Sequence, residues 1–262
     1  SNINSRQISL ETVAGIYKGT FKEYRLAFNK VKLLQKSNNT SNTNALAQAK
    51  AELADKTKSW QSLRKELRTY FNKMIGQKGL RLDSFEDLEQ LFTDNTVFSD
   101  TEFLPALYLY MQANFESSDE NNHQHFPPKT VFESKTMDCD DNAFFIYYLA
   151  TKRGLAQNSS CDWLLVGDRA LPKPDIHVVY LFKTADRFIS IDNWDYDVSK
   201  CSTKTELMKT PLFKYVFAAR TIKAPLELAH YLPECLATID DLTGSNYQLN
   251  QTEFYFIRTR DK

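Results

Sequence analysis

The sequence predicts an α+β protein in which a helical hairpin precedes a core of one buried helix packed on an antiparallel sheet. Three observations carry this. Helical periodicity fills the first third of the chain, one short segment is apolar on every side, and alternating apolar segments dominate the second half. Helices first and strands afterwards is the order of an α+β fold rather than of alternating parallel units. The division expected is residues 1–79 for the hairpin and residues 80–262 for the domain that carries chemistry.

Within residues 17–34, Tyr17, Phe21, Tyr24, Phe28 and Val31 recur at the spacing of one helical face. The Asn-, Ser- and Thr-rich residues 36–44 read as a loop. A second helix over residues 45–75 keeps Leu46, Leu53, Trp60, Leu67 and Met74 at seven-residue intervals, accompanied by Ala49, Lys56, Leu63 and Tyr70. This is an a/d seam broken only at Lys56, and the short loop makes an antiparallel pair of the two helices. The hairpin reads first as a packing accessory and second as an arm that binds a protein partner or substrate.

Residues 76–79 form a glycine-flanked turn. Ser84 and Asp87 then have capping-box spacing at the start of a helix carrying Phe85, Leu88, Leu91 and Phe92. Residues 100–115 are helical, with Pro105 in the first turns, and residues 116–125 read as a polar loop. Strands are expected at 163–166, 176–182, 188–191, 215–221 and 253–258.

Lysine plus arginine and aspartate plus glutamate are equal at 33 each, so the formal net charge is zero. That excludes a strongly basic footprint for nucleic acid and a general attraction to anionic membranes. The longest apolar run, residues 143–150, is far too short to span a bilayer. Residues 1–7 are polar and carry no signal-peptide pattern. The compartment is left open between the cytoplasm and export with a leader removed. Four cysteines read as separate thiols, with a single disulfide among Cys161, Cys201 and Cys235 as the alternative.

The chemistry concentrates in residues 136–154. Asp138 reads as an N-cap with Asp141 three residues on, Lys152 and Arg153 fall in the last turn, and Gly154 stops the helix. Cys139 then sits in the first turn, where the positive end of the helix dipole favours a thiolate. Asp138, Asp140 and Asp141 oppose that charge, so an imidazolium partner is required. Of the four histidines, His123 and His125 lie in the polar loop and His230 near a helix end. His123, His125 and Cys139 lack the second ligand pair of a zinc site. His177 interrupts an apolar strand, where a polar side chain must find a partner. Pairing Phe182 with Arg187 across a hairpin turn places His177 directly opposite Asp192. The predicted triad is Cys139 as nucleophile, His177 as base and Asp192 as orienter.

These residues resemble the transglutaminase-like superfamily of papain-fold enzymes, close to the bacterial transglutaminase-like cysteine peptidases. The resemblance covers about residues 120–195. It rests on Pro127-Pro-Lys-Thr ahead of Asp138-Cys139-Asp-Asp-Asn-Ala, on Ile176-His177-Val-Val, and on Ile191-Asp192-Asn193. It implies a papain-like core, a cysteine nucleophile and acyl-enzyme chemistry on amides. No cofactor is required. Some members use calcium near the cysteine loop, which would fall here at Asp138–Asp141, residues that a capped helix start also accounts for. Met137 departs from the pattern, because the family has glycine there. The expected function is thiol-dependent amide hydrolysis of a protein or peptide substrate. Glutamine acyl transfer to an amine, or an inactive binding module on the same fold, are the alternatives.

Overall fold

The computed structural model describes residues 8–37, 43–118, 126–167, 175–225 and 254–258. It divides into two compact units, Ser1–Leu82 with Thr96–Asn114, and Asp83–Asn95 with Phe115–Lys262. The first four helices are α1 (Leu10–Lys36), α2 (Thr43–Gln77), α3 (Phe85–Thr93) and α4 (Asp100–Asn114). Of these, α1, α2 and α4 build the first unit. The sequence division at residue 79 assigns α4 to the second region, whereas α4 packs on both α1 and α2. Its run from Phe103 to Ala113 is buried throughout, so it requires partners on more than one side.

The hairpin is antiparallel, as its cross-pairs run in opposite order along the two helices. Lys56 bonds Glu23 at 2.7 Å and Lys30 bonds Glu52 at 2.8 Å. The break in the seam is therefore an interhelical ion pair. Trp60 stacks on Tyr24 at 4.4 Å and donates its indole N–H to Tyr17 Oη at 2.8 Å. Farther along α2 the buried positions are Leu63, Arg64, Leu67, Phe71 and Ile75, the period of a straight helix rather than a strict heptad. Helix α4 lies against α2 as well, so the buried face widens. The last carbonyls of α4 are satisfied by Arg64 Nε to Gln112 O at 2.9 Å and Arg68 Nη1 to Ala113 O at 2.7 Å.

In the second unit, Ser84 and Asp87 form the expected reciprocal capping box of α3. Strand β1 (Glu116–Ser117) pairs in parallel with β2 (Thr136–Met137), and α5 (Pro128–Ser134) lies between them in sequence. Helix α6 (Cys139–Lys152) follows β2 directly. The remaining strands are β3 (Ser159–Val166), β4 (Asp175–Lys183), β5 (Phe188–Ile191), β6 (Tyr196–Ser199), β7 (Val216–Thr221) and β8 (Phe256–Ile257), with α7 (Lys204–Lys209) before β7. They form a six-stranded antiparallel sheet in the order β6-β5-β4-β3-β7-β8. The unit is thus mixed helix and antiparallel sheet. Strand β1 occupies the start of what reads as a loop, and the alternation of β6, Tyr196-Asp-Val-Ser199, is too short to signal itself.

Helix α6 packs on β3 and β4, and Cys161 turns toward it, donating its thiol to Ala143 O at 3.4 Å. Leu164, Val179, Leu181 and Phe188 instead gather with Leu207 and Met208 of α7. No helix among the described residues is long and apolar enough to cross a membrane. A charge pair enters the core of the sheet. Lys204 Nζ donates to Asp162 Oδ1 and Oδ2 at 2.8 and 2.9 Å and to Thr221 Oγ1 at 2.8 Å. Asp162 is fully buried.

Lys204→Met leaves that carboxylate charged and uncompensated, and costs about 3 kcal/mol in urea unfolding. Combining it with Asp162→Leu recovers most of the loss. A single variant as stable as the wild type would show that the pair does not hold the core.

Candidate active site

The site starts from how α6 begins. Met137 is buried in β2, and Asp138 follows as an extended N-cap. Asp138 Oδ1 accepts from Asp141 N at 3.1 Å and Asp141 Oδ2 accepts from Asp138 N at 3.4 Å, a reciprocal capping box. Asp141 Oδ1 also accepts from Phe126 N at 2.9 Å. Cys139 is therefore the first helical residue, and it is partly exposed. At the position where glycine was expected, Met137 Sδ accepts from Asn142 Nδ2 at 3.3 Å, which ties the lead-in to the first turns of the helix.

The cost falls on Asp141. Burial, and then the charge of Asp138, push its carboxyl up to about 8, while bonds from the Phe126 and Asp138 backbone pull it down. The ligand atoms of Asp138, Asp140 and Asp141 lie within 4.8 Å of one another. Both Asp141 oxygens and Asp138 Oδ1 accept backbone N–H groups, the bonds of a capped helix start.

The register expected between β4 and β5 requires correction. Phe182 pairs with Ile189 and Tyr180 with Ile191, so the hairpin is offset by two residues from a Phe182–Arg187 pairing. An even slip keeps each side chain on its face. His177 and Asp192 become diagonal rather than direct neighbours, and His177 Nε2 still reaches Asp192 Oδ2 at 2.8 Å. Asp192 lies just past the end of β5, where its Oδ1 accepts from Trp194 N at 2.8 Å and Asp195 N at 2.7 Å. Three donors thus fix the carboxylate. Against the effect of its own burial, the His177 bond and charge and these two N–H groups hold it below the usual aspartate range.

The Cys139 thiol makes a long 3.9 Å contact to Asp140 Oδ1 and is among the groups that act on the His177 ring. Because Nε2 is engaged by Asp192, Nδ1 is the ring nitrogen left for the sulfur. Burial opposes the imidazolium most strongly. The hydrogen bonds to Asp192 and Cys139 and the charges of both outweigh it, raising His177 to about 10. The indole of Trp194 lies over the imidazole, with centroids 6.0 Å apart and planes 20° apart. Asn193 Nδ2 and Trp194 Nε1 both donate to Ser117 Oγ, at 3.1 and 3.3 Å.

The structure thus brings Cys139, His177 and Asp192 together. Sequence reasoning missed Ser117 and Trp194. Ser117 sits in a polar stretch without local signal, and only the proximity of Trp194 to Asp192 in the chain could have pointed to it. Cys139, Cys161 and Cys201 are free thiols. His123, His125, His230 and Cys235 lie outside the described residues.

Because folding raises the His177 pKa, the stabilisation from its partners is complete below about pH 6.5, the ordinary histidine value. It is lost as pH rises toward about 10. The difference in unfolding free energy between wild type and His177→Gln should therefore be largest at pH 6 and shrink steadily to pH 10 in urea titrations. A difference independent of pH would contradict the coupling. Comparison with protein-family models, with curated proteins and with solved structures finds no match to this chain.

Proposed function

We propose that this chain is a thiol-dependent amide hydrolase, a cysteine peptidase built on a papain-like, transglutaminase-like core. The observation that carries the proposal is the 2.8 Å bond from His177 Nε2 to Asp192 Oδ2, with Cys139 among the groups that favour the imidazolium. The thiolate of Cys139, paired with the His177 imidazolium, attacks the carbonyl carbon of a substrate amide. The backbone N–H of Cys139, at the helix start, faces the developing oxyanion. The imidazolium gives its proton to the departing amine, which leaves a thioester. Water then attacks the thioester while His177 takes a proton, and the acid is released as the thiolate–imidazolium pair is restored. Asp192 orients the ring and stabilises the imidazolium through both protonations. The acidic residues around Cys139 make that stabilisation necessary. If an amine replaces water in the last step, the same residues perform acyl transfer.

The test is labelling with iodoacetamide at neutral pH, followed by peptide mapping. Cys139 reacts first, because Cys161 is fully buried and burial pushes both the Cys161 and Cys201 thiols up. His177→Gln lowers the Cys139 rate about a hundredfold, and Cys139→Ala abolishes the fast phase. Cysteines that react alike, and only on unfolding, would contradict an activated nucleophile. Cleavage of a peptide mixture in the presence and absence of a primary amine then separates hydrolysis from transfer. A reactive Cys139 that turns over neither way would favour a binding role.

A further inference from the structure

We propose that Ser117 is a positioning residue of this site. Its hydroxyl clamps the turn that bears Asp192 to the strand pair that delivers Cys139. The inference rests on the triad reading above and adds a residue that neither local sequence nor strand register implicates.

Ser117 Oγ accepts from two consecutive residues, Asn193 Nδ2 at 3.1 Å and Trp194 Nε1 at 3.3 Å. Two donors on one oxygen fix the orientation of the 192–195 turn as well as its position. Trp194 is the hinge of the arrangement. Its backbone N–H donates to Asp192 Oδ1 at 2.8 Å, its indole N–H donates to Ser117, and its ring lies over the His177 imidazole. A rotation of Trp194 therefore moves the carboxylate and the imidazole together.

On its other side, Ser117 belongs to the nucleophile's half of the site. It is the register partner of Met137, two residues before Cys139. Glu116 N to Lys135 O at 2.8 Å and Ser118 N to Met137 O at 2.9 Å hold the two strands in register. One hydroxyl thus joins the segment leading into Cys139 to the segment holding Asp192. Ser117 is exposed, so its hydrogen bonds contribute little to stability, and geometry is what they secure.

The experiment follows Cys139 carboxamidomethylation from pH 5 to 10, together with the thermal unfolding midpoint, in the full chain. Ser117→Ala is expected to unfold near the wild-type temperature and to label about tenfold more slowly at pH 6–8. Its rate should rise with pH as a free thiol's does. Ser117→Thr keeps the hydroxyl and restores both rate and profile. Trp194→Phe removes one of the two bonds from the partner's side and retains a ring over His177, and it shifts the profile in the direction of Ser117→Ala. A wild-type profile in Ser117→Ala or in Trp194→Phe overturns the proposal, as does a Thr variant no faster than the Ala variant. Labelling that responds to His177→Gln but not to Ser117→Ala refutes the role of Ser117 alone. Labelling insensitive to His177→Gln refutes the triad reading beneath it.

Discussion

Helix α6 can begin only where its first N–H groups find acceptors, because the body of the helix is buried and water cannot serve them. Asp138 and Asp141 supply the solution, each accepting the other's backbone N–H. That reciprocal cap sets Cys139 as the first helical residue and leaves it partly exposed. It also crowds carboxylates around a sulfur whose proposed role requires negative charge. Burial, and then the charge of Asp138, push the Asp141 carboxyl up to about 8. The negative charge that remains beside the sulfur calls for a neighbouring cation, and His177 supplies it in the proposed triad.

Asp192 is what keeps that cation in place. Burial alone would drive His177 toward its neutral form, and the two partners on its ring reverse the outcome. The carboxylate can do this because it is itself held by two backbone N–H groups of a tight turn. The arrangement resembles a chain of supports: turn to carboxylate, carboxylate to imidazole, imidazole to sulfur. Side-chain packing of α6 on β3 and β4 brings the two ends of the chain together, and the β1–β2 pair adds a local brace.

Much of this was legible in the sequence. The cap and stop of α6 follow from residue types at fixed offsets, and so does the capping box of α3. The His177–Asp192 encounter survived a misjudged register because side chains in a strand alternate with a period of two. Less accessible was anything that depends on remote contact. The place of α4 with α1 and α2 reflects burial on several sides, which a local pattern cannot assign to a particular partner. The heptad in α2 gave way to a straight-helix period because α4 widens the buried face. Ser117 carries no local signal, since its role arises only when a two-residue strand meets a distant turn.

The central claim is that His177 is an imidazolium held by Asp192 and Cys139. An NMR titration of the histidine ring protons, with His177 assigned by its loss in His177→Gln, tests this most directly. The account predicts that His177 stays protonated through neutral pH and titrates near 10, and that Cys139→Ala or Asp192→Asn moves it toward its ordinary value. A His177 that titrates near the ordinary value of about 6.5 in the wild type, unmoved by either substitution, would contradict it.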